Sequence, residues 1–439
     1  MDHRNSIAVA RALKPNRPAG IKLTALGGQS EKKRFIGPNC WLETLPDGQQ
    51  LMFDCGGIID ESDEESTRVP DFRAVNLKKR KLAGIGLSHG HLDHVKGLPA
   101  LAKLISDDPD SLNYQIPVYG TATTLLVAER QMSAELKRFF DFRLLDNVQQ
   151  IGDFTVRAYP TIHSIPECVC FVTSACGKDV AYIPDCKWLR SNWSEKARTK
   201  KTLTEIATIK DTGLDVALLD STYATEDGYT PSVVTMEAAF ADLLTAEKYR
   251  DREFVVLNFA SETEFAADLT MIANQVANRP VYCLGSSMRF FFDAFGIIDH
   301  QRQSGCTGKP VGVVTGSQYE SGSAIDRAIN GDNRYLTIGP DKVFVLAAKI
   351  IPNNKTRIAT MVRKIRSFGA EVITSETNPE LHVSGHEKGD GLKEMGDVLV
   401  PRVLIPQHSP DFSRQAFCDR FVGSGIQTVM VGDGQSIKF

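Results

Sequence analysis

The segment Ser88–His94, with the sequence SHGHLDH, constrains this chain more than any other stretch. It holds three of the nine histidines in 439 residues, and it directly follows the apolar run Leu82–Leu87. Imidazoles and a carboxylate crowded at the end of a buried strand repel one another or lose hydration unless a cation compensates them. Imidazole nitrogen and carboxylate oxygen are ligands that zinc accepts. The segment therefore predicts a two-metal centre at the end of a strand.

Composition and charge limit the classes of protein to consider. With 42% hydrophobic and 24% charged residues, the chain is typical of a globular protein, and it has no apolar run long enough to span a membrane. The net charge of −3 argues against an overall basic field that would coat the protein with nucleic acid. A local basic groove stays possible at Lys78–Lys81, Lys196–Lys201 or Arg363–Arg366, although each run is also consistent with a solvated face.

The cysteines indicate the compartment. Nine of them, an odd number, are scattered along the chain without the spacing of a disulfide framework. This usage predicts reduced thiols in a cytoplasmic protein. Cys168 and Cys170 form a C-x-C pair, but they lie in an apolar alternating segment where cysteine behaves as a small hydrophobic residue. A third metal site at this pair is the less favoured interpretation.

Several predicted strands end at residues that can bind metal or move protons. In chain order these strands and residues are Leu51–Phe53 with Asp54, Phe154–Tyr159 with His163, Asp179–Ile183 with Asp185, Val216–Leu219 with Asp220, and Val398–Ile405 with His408. Helical patterns alternate with the strands, for example over 95–105, and this alternation predicts an α/β fold. Because α/β folds place their sites where strand ends converge, we expect these side chains to surround one site.

The length implies about two or three domains. Residues 1–18 are expected to form a loose tail, and residues 19–224 the first part of one domain. Residues 225–380 have their own strand and helix rhythm, which predicts a second α/β domain inserted into the first. Residues 381–439 are expected to return to the first domain.

The order of the candidate ligands resembles the metallo-β-lactamase superfamily. Five further segments sharpen the resemblance to its β-CASP branch, and within that branch to bacterial ribonuclease J: Thr161–Pro166, Asp220–Thr222, Asn258–Ser261, Thr315–Gln318 and His382–His386. The resemblance implies a metallo-β-lactamase αββα sandwich with an inserted β-CASP domain. Two features depart from the family: Tyr319 replaces a glycine, and Gln407–Pro410 replaces the usual Val-His-Gly-Glu. The sequence ends at Phe439, so the family's C-terminal assembly domain is expected to be missing, and a homodimer stays an open possibility.

The resemblance also implies roles for the residues. His89, His91 and His163 would bind the first metal, Asp93, His94 and His408 the second, and Asp185 would bridge both. Zinc is the expected ion, with manganese as the alternative; two such ions ~3.5 to 4 Å apart share a hydroxide for phosphoryl displacement. Asp54 is expected to orient a ligand histidine rather than to bind metal. Asp220 and His386 would protonate the leaving oxygen, while Ser317, His382, Ser384 and His386 would contact phosphate or RNA.

These inferences predict a metal-dependent ribonuclease that hydrolyses single-stranded RNA and leaves 5′-phosphates, as an exonuclease, an endonuclease or both. Two alternatives stay open. The first is a DNA-processing β-CASP nuclease, because no motif reads a 2′-hydroxyl. The second is a catalytically decayed RNA-binding subunit, although an intact ligand set argues against it. A small-molecule hydrolase would not need the inserted domain.

Overall fold

A computed structural model of the protein describes residues 20–29, 37–59, 67–77, 81–107, 115–210, 213–298, 305–350 and 354–439. The tail predicted for residues 1–18 lies outside these ranges, as does most of the basic run at 78–81. Within them, helices and strands alternate along the chain, and the predicted α/β class is confirmed.

The strands in chain order are β1 (Lys22–Gly27), β2 (Cys40–Thr44), β3 (Gln50–Phe53), β4 (Ile58–Ile59), β5 (Thr67–Arg68), β6 (Leu82–Gly86), β7 (Ile116–Gly120), β8 (Phe140–Leu144), β9 (Val148–Ile151), β10 (Phe154–Pro160), β11 (Val169–Ala175), β12 (Lys178–Ile183), β13 (Val216–Asp220), β14 (Glu253–Leu257), β15 (Val281–Leu284), β16 (Val311–Val314), β17 (Lys342–Leu346), β18 (Glu371–Thr374), β19 (Val403–Gln407), β20 (Gln427–Thr428) and β21 (Ser436–Lys438).

The α-helices are α1 (Leu92–Val95), α2 (Leu98–Ser106), α3 (Ala122–Arg130), α4 (Ala134–Lys137), α5 (Trp193–Ala207), α6 (Val233–Thr245), α7 (Thr263–Met271), α8 (Ser286–Ala294), α9 (Ala324–Ile329), α10 (Lys355–Ser367), α11 (Gly389–Leu399) and α12 (Asp411–Arg420). A π-helical turn at Ile272–Val276 continues α7. The basic runs at 196–201 and 363–366 lie on α5 and α10. Among the described helices, none combines the length and apolar character that a membrane crossing requires.

Two seven-stranded sheets pack face to face. Their strand orders are β21-β1-β2-β3-β6-β7-β8 and β20-β19-β13-β12-β11-β10-β9. Between them, the ring of Phe53 stacks on Phe171 at 5.4 Å and on Tyr182 at 5.2 Å. Helices α2 and α3 cover the outer face of the first sheet, and α5, α11 and α12 cover that of the second. The layers are helix, sheet, sheet and helix, as predicted for an αββα sandwich.

One carboxyl group is buried between these two sheets. Glu43 on β2 is fully buried, and its carboxylate accepts a hydrogen bond from the Thr173 hydroxyl on β11, with distances of 2.8 and 3.0 Å to its two oxygens. Burial raises the pKa of Glu43 to about 8. A neutral acid with one hydroxyl partner therefore sits in the core of the sandwich.

A third sheet contains five parallel strands in the order β15-β16-β14-β17-β18. Its three central strands are buried almost throughout, which is typical of a parallel sheet covered on both faces. Helices α6 and α7 pack on one face, and α9 and α10 on the other. All five strands fall within the predicted inserted segment 225–380, whose boundaries stay a prediction. After the third sheet, the chain returns to the second sheet, where β19 pairs in parallel with β13.

Two sequence-based assignments were wrong in part. The predicted strand Val398–Ile405 begins instead as the last turn of α11, whose buried side chains Leu392, Met395 and Leu399 follow a helical period. Val400 then adopts a left-handed conformation with φ 41°, and the strand starts only at Val403. The helix predicted for 95–105 is interrupted at Gly97, where a Cβ atom would lie 2.3 Å from the Gly56 carbonyl oxygen.

Candidate metal centre

The loop after β6 carries most of the candidate ligands. His89 follows the strand and is fully buried. His91 precedes α1, and Asp93 and His94 lie within α1. This helix is a single turn of four residues, and it places the ring of His94 close to that of His89, with ring centroids 4.0 Å apart. The spacing of the motif thus places all four side chains around one point.

Asp54, at the end of β3, holds this loop in place through hydrogen bonds. Its carboxylate accepts hydrogen bonds from the Ser88 backbone N–H at 2.7 Å, the Ser88 hydroxyl at 2.8 Å and the Tyr182 hydroxyl at 2.7 Å. The same carboxylate lies 2.7 Å from His94 Nδ1, and it is fully buried. With Nδ1 engaged by the carboxylate, Nε2 of His94 is left to face the centre. This geometry fits the orienting role predicted for Asp54.

A first ligand group consists of His89, His91, His163 and Asp185, whose donor atoms lie within 4.8 Å of one another. His91 Nδ1 is 3.1 Å from Nε2 of both His89 and His163. His163 Nε2 is 3.3 Å from Asp185 Oδ2. The second ring nitrogen of His163 is held by the Gly385 carbonyl oxygen at 2.8 Å, which fixes the ring orientation.

A second ligand group consists of Asp93, His94, Asp185 and His408, again within 4.8 Å. Asp185 Oδ1 lies 3.3 Å from His94 Nε2 and 3.1 Å from His408 Nε2, while Asp93 Oδ2 lies 3.2 Å from the same His408 nitrogen. Asp185 therefore turns one carboxylate oxygen to each ligand group. This is the position that a bridging ligand requires.

The chemistry of the two groups fits divalent metal ions. Ring nitrogens face one another at hydrogen-bond distance, and Asp185 Oδ1 is buried without a hydrogen-bond partner in the described part of the chain. Burial lowers the pKa of His89 to about 4 and also lowers that of His163, so both rings are neutral and able to donate a lone pair. Although burial acts against ionisation, His408 and His94 hold the pKa of Asp185 well below its usual range. In the second group burial opposes protonation, but Asp185, Asp54 and Asp93 raise the pKa of His94 well above its ordinary value, so this ring carries a proton where a metal ion would bind. Imidazole nitrogens beside an ionised carboxylate are a zinc-type donor set.

A third cluster joins Asp220, His386 and His408. His386 Nδ1 lies 2.8 Å from Asp220 Oδ2, and the other Asp220 oxygen accepts hydrogen bonds from the Thr222 N–H and hydroxyl. His386 Nε2 lies 3.8 Å from Asp185 Oδ2. Burial opposes protonation, but Asp220 and Asp185 raise the pKa of His386 to about 9. A protonated imidazole thus borders both ligand groups.

The altered residues around His408 keep that histidine in place. The Gln407 side-chain amide donates to the Ile183 carbonyl oxygen at 3.0 Å, and Ser409 Oγ lies 2.6 Å from Ser221 Oγ. The Thr222 hydroxyl lies 3.0 Å from His408 Nδ1. These contacts support His408 from both sides, and its Nε2 faces Asp185.

The candidate phosphate ligands are only partly joined to this centre. The Ser384 hydroxyl accepts the His386 backbone N–H at 3.0 Å, so Ser384 lies beside the centre. Burial and Lys349 lower the pKa of His382 to about 4. Ser317, after β16, is buried, and its hydroxyl finds no hydrogen-bond partner within the described residues. Two residues later, Tyr319 has a φ of 58°, a conformation that glycine adopts without strain and that fits the glycine implied by the resemblance at this position.

Two residues at or beside the centre were not predicted from the sequence. The Asn39 side-chain amide lies 3.2 Å from His94 Nε2 and 3.3 Å from Asp93 Oδ2. Lys187 is buried two residues after Asp185, and its ammonium group donates to the Ser384 carbonyl oxygen at 3.2 Å. The position of Lys187 next to a strand-end ligand was a usable signal. Asn39 offered none, because it reaches the centre through tertiary contacts, in which its backbone N–H donates to the Asp93 carbonyl oxygen at 2.8 Å.

Comparison with known families gives two matches. Residues 53–250 match the family model described as "Beta-lactamase superfamily domain". Residues 297–365 match the model described as "Ribonuclease J, beta-CASP domain". The first match spans the loop and strand ends that carry most of the two ligand groups, and the second lies in the region of the third sheet.

Two curated relatives carry the same name, "Ribonuclease J". The chain is 26% identical over 409 residues to "Ribonuclease J" of Mycolicibacterium smegmatis, which covers 90% of this chain and 70% of that protein. It is 26% identical over 428 residues to "Ribonuclease J" of Pyrococcus abyssi, and this match covers 88% of this chain and 89% of that protein. Among solved structures, a protein of unknown function from Enterococcus faecalis V583 superposes with a TM-score of 0.64 at 13% identity. That similarity covers 96% of this chain and all of the other, and it concerns the fold alone.

Proposed function

We propose that this chain, a metallo-β-lactamase-fold protein of the ribonuclease J-like β-CASP type, hydrolyses RNA phosphodiester bonds with two divalent metal ions. One observation carries the proposal. Asp185 lies between two groups of buried histidines and carboxylates, and directs one oxygen towards each. Such a pair of neighbouring donor sets suits enzymes that displace phosphoryl oxygens.

His89, His91 and His163 would hold one ion, Asp93, His94 and His408 the other, and Asp185 both. Zinc is the proposed ion, because imidazole-rich donor sets suit it, and manganese is the alternative to test. When bound, the ions lower the pKa of water towards ~7 and stabilise charge that develops on the phosphate. Asp54 and Gly385 contribute by fixing the rings of His94 and His163.

His386 is the proposed proton donor. Because its Nδ1 contacts Asp220, the proton available for transfer is on Nε2, which points towards Asp185. Protonation of the leaving 3′-oxygen by such a group contributes roughly 10²- to 10⁴-fold in rate. Asp220 keeps the imidazole charged and oriented, and Thr222 fixes the Asp220 carboxylate.

The proposed substrate is single-stranded RNA, and the proposed product carries a 5′-phosphate. Ser384 and His382 lie on the segment that also supplies His386, and Ser317 follows a strand of the third sheet. Together they offer hydroxyl and imidazole groups to a phosphate at the junction of the two α/β regions. All nine cysteines are free thiols, which supports a reducing cytoplasmic compartment.

The test is to incubate the protein with matched RNA and DNA oligomers, each carrying a 5′-phosphate or a 5′-hydroxyl, with zinc or manganese. We expect cleavage of RNA that leaves 5′-phosphate ends and depends on the added metal. Faster cleavage of DNA than of RNA would replace this proposal with the DNA-processing alternative. Binding of RNA without cleavage under every metal condition would favour the decayed subunit. Size measurement of the same preparation tests whether the protein forms a homodimer.

A further inference from the structure

The carboxylate of Glu387 lies beside the proposed proton donor but belongs to none of the three clusters of the centre. Glu387 directly follows His386 in the chain, and only 1% of it is exposed. Its carboxylate accepts hydrogen bonds from three backbone N–H groups, at 2.8 Å from Trp188, 2.7 Å from Thr230 and 3.0 Å from Lys388. Hydrogen bonds from backbone N–H groups to a carboxylate are charge-assisted and strong. Glu387 therefore joins separate parts of the chain at this point.

One of these connections ties the segment that carries His386 to the segment that carries Asp185. The backbone N–H of Glu387 donates to the Cys186 carbonyl oxygen at 2.9 Å, and its carboxylate accepts from Trp188, two residues further on. Cys186 directly follows Asp185. His386 Nε2 lies 3.8 Å from Asp185 Oδ2. The position of the proposed proton donor relative to the bridging carboxylate is therefore set through Glu387.

The other connection reaches the start of the predicted inserted segment. The Thr230 backbone N–H donates to Glu387 Oε1, and the Thr230 hydroxyl donates to the His386 carbonyl oxygen at 2.6 Å. Trp188 donates to the other carboxylate oxygen, Oε2. Each oxygen thus holds a different chain segment. A side-chain amide has only one oxygen, so it could accept from only one of these two segments.

The chain leaves space for this side chain at Gly391. A Cβ atom at Gly391 would lie 2.4 Å from Glu387 Cγ. Gly391 is buried in α11, where glycine weakens a helix relative to alanine. Its carbonyl oxygen accepts from the Trp188 indole N–H at 3.0 Å. The helix therefore carries a poor helix former at the position where any larger residue would displace Glu387.

We propose that Glu387 is a positioning residue for RNA hydrolysis, which acts by fixing His386 against Asp185. This role rests on the proposed function, because it is exerted through the proton that His386 donates to the leaving 3′-oxygen as the bond from phosphorus to that oxygen breaks. Glu387 belongs to neither ligand group, so its replacement leaves the metal ligands in place. A displacement of about 1 Å at a reacting group costs up to about 10²-fold in rate, which sets the scale of the expected effect.

The main variant is Glu387→Gln, studied in the full chain with zinc added. The amide keeps the shape of the carboxylate but sets its NH2 group against a backbone N–H donor. We expect kcat for RNA cleavage to fall about 10- to 100-fold, with KM and metal content unchanged. The matched control is Glu195→Gln, because the Glu195 carboxylate also accepts three backbone N–H groups, from residues 190–192, at the start of α5. The control should cleave RNA at the wild-type rate.

Two further measurements separate positioning from a general loss of structure. In the His386→Ala background, Glu387→Gln should change kcat by less than about twofold, because the two residues act as a unit. The p-nitrophenyl ester of a nucleoside 5′-phosphate has a leaving group that departs without a proton, so Glu387→Gln should cleave it at nearly the wild-type rate. If Glu387→Gln does not fold, Thr230→Val replaces it, since this variant removes the hydroxyl that donates to His386.

The same proteins distinguish failure of the positioning role from failure of the nuclease. Full RNA cleavage by Glu387→Gln, losses that multiply in the double variant, or equal losses on RNA and on the ester would overturn the positioning role and leave the nuclease standing. Absence of wild-type cleavage under every metal condition would overturn the nuclease. NMR of isotope-labelled histidine would then decide whether Glu387 fixes His386, whose imidazole N–H resonance is assigned with His386→Ala. We expect this resonance to shift in Glu387→Gln but not in Glu195→Gln, and an unshifted resonance would also overturn the inference.

Discussion

The carboxylate of Asp54 lies 2.7 Å from Nδ1 of His94 and holds that ring from the side opposite the centre. Three other donors, from Ser88 and Tyr182, fix the same carboxylate. A residue that does not face the centre therefore decides where one of its ligands points. Its removal should weaken metal binding without removing a ligand.

Replacing Asp54 by alanine is expected to lower metal affinity about 10- to 100-fold, because the His94 ring loses its orientation. Titration of metal against a competing chelator measures this change. Asp47→Ala, in an exposed turn, is the matched control and should bind metal as the wild type does. Equal affinities for the Asp54 and Asp47 variants would show that Asp54 is only a turn residue.

Asp93→Ala should abolish RNA cleavage and leave the fold intact. The side chain lies at the edge of the second ligand group, 3.2 Å from His408 Nε2, and supports no apolar packing. Circular dichroism and the melting temperature check the fold, and a cleavage assay with end-labelled RNA checks the activity. Chelation of metal from the wild type should give the same loss, reversed when metal is added back. Full activity in either case would contradict a metal mechanism.

His386→Ala should reduce kcat by about 10²- to 10⁴-fold while metal content stays unchanged. The reason is that His386 belongs to neither ligand group and offers a proton instead. Single-turnover cleavage and metal analysis of the same protein separate these effects. Asp220→Asn should give a smaller loss in the same direction. Loss of metal in the His386 variant would make this residue a ligand rather than a proton donor.

Glu43 should make stability depend on pH. The unfolded chain releases this proton near the ordinary value of 4.5, but the folded protein keeps it up to about pH 8. Between these values the folded state binds more protons, so the free energy of unfolding falls as pH rises, by at most about 1.4 kcal/mol per pH unit. Glu43→Gln removes this slope. Urea unfolding across the window measures it, with exposed Glu135→Gln as a control that should retain the wild-type slope.

Val400→Gly should raise the free energy of unfolding by about 1 kcal/mol. Val400 ends α11 with a φ of 41°, a conformation that a β-branched residue adopts only with strain, and 62% of it is exposed. The control, Val398→Gly, lies within the helix and packs against the core, so the loss of helix propensity and of side-chain burial should lower stability by more than about 1 kcal/mol. Thermal or urea unfolding of both variants compares them. Destabilisation by both substitutions would mean that the strain at Val400 is negligible.

Part of the site could be predicted from the close spacing of its residues in the sequence. His89, His91, Asp93 and His94 are close in sequence, so any turn after a buried strand brings them together. His163 and Asp185 were identified from strand ends and a family resemblance, and the structure brings them to the same point. His408 lies 314 residues beyond His94, and it was indicated by the end of a predicted strand together with the resemblance.

Other features depend on tertiary packing that no local pattern records. Asn39 reaches the centre through a backbone hydrogen bond to Asp93, 54 residues later in the chain, and through its side-chain contact with His94. The apolar residues at 398–400 suit a strand or a helix equally well, and burial against the second sheet selects the helix. Sequence patterns therefore predicted the ligands better than they predicted the residues that support them.

The return of the chain to the second sheet also sets the order in which the two ligand groups can be completed during synthesis. β19, which precedes His408, pairs with β13 only after the whole third-sheet region has been synthesised. A nascent chain that already displays the metal loop still lacks one member of the second ligand group. Both ligand groups are therefore complete only after residue 408 of the 439 has been synthesised and β19 has paired with β13.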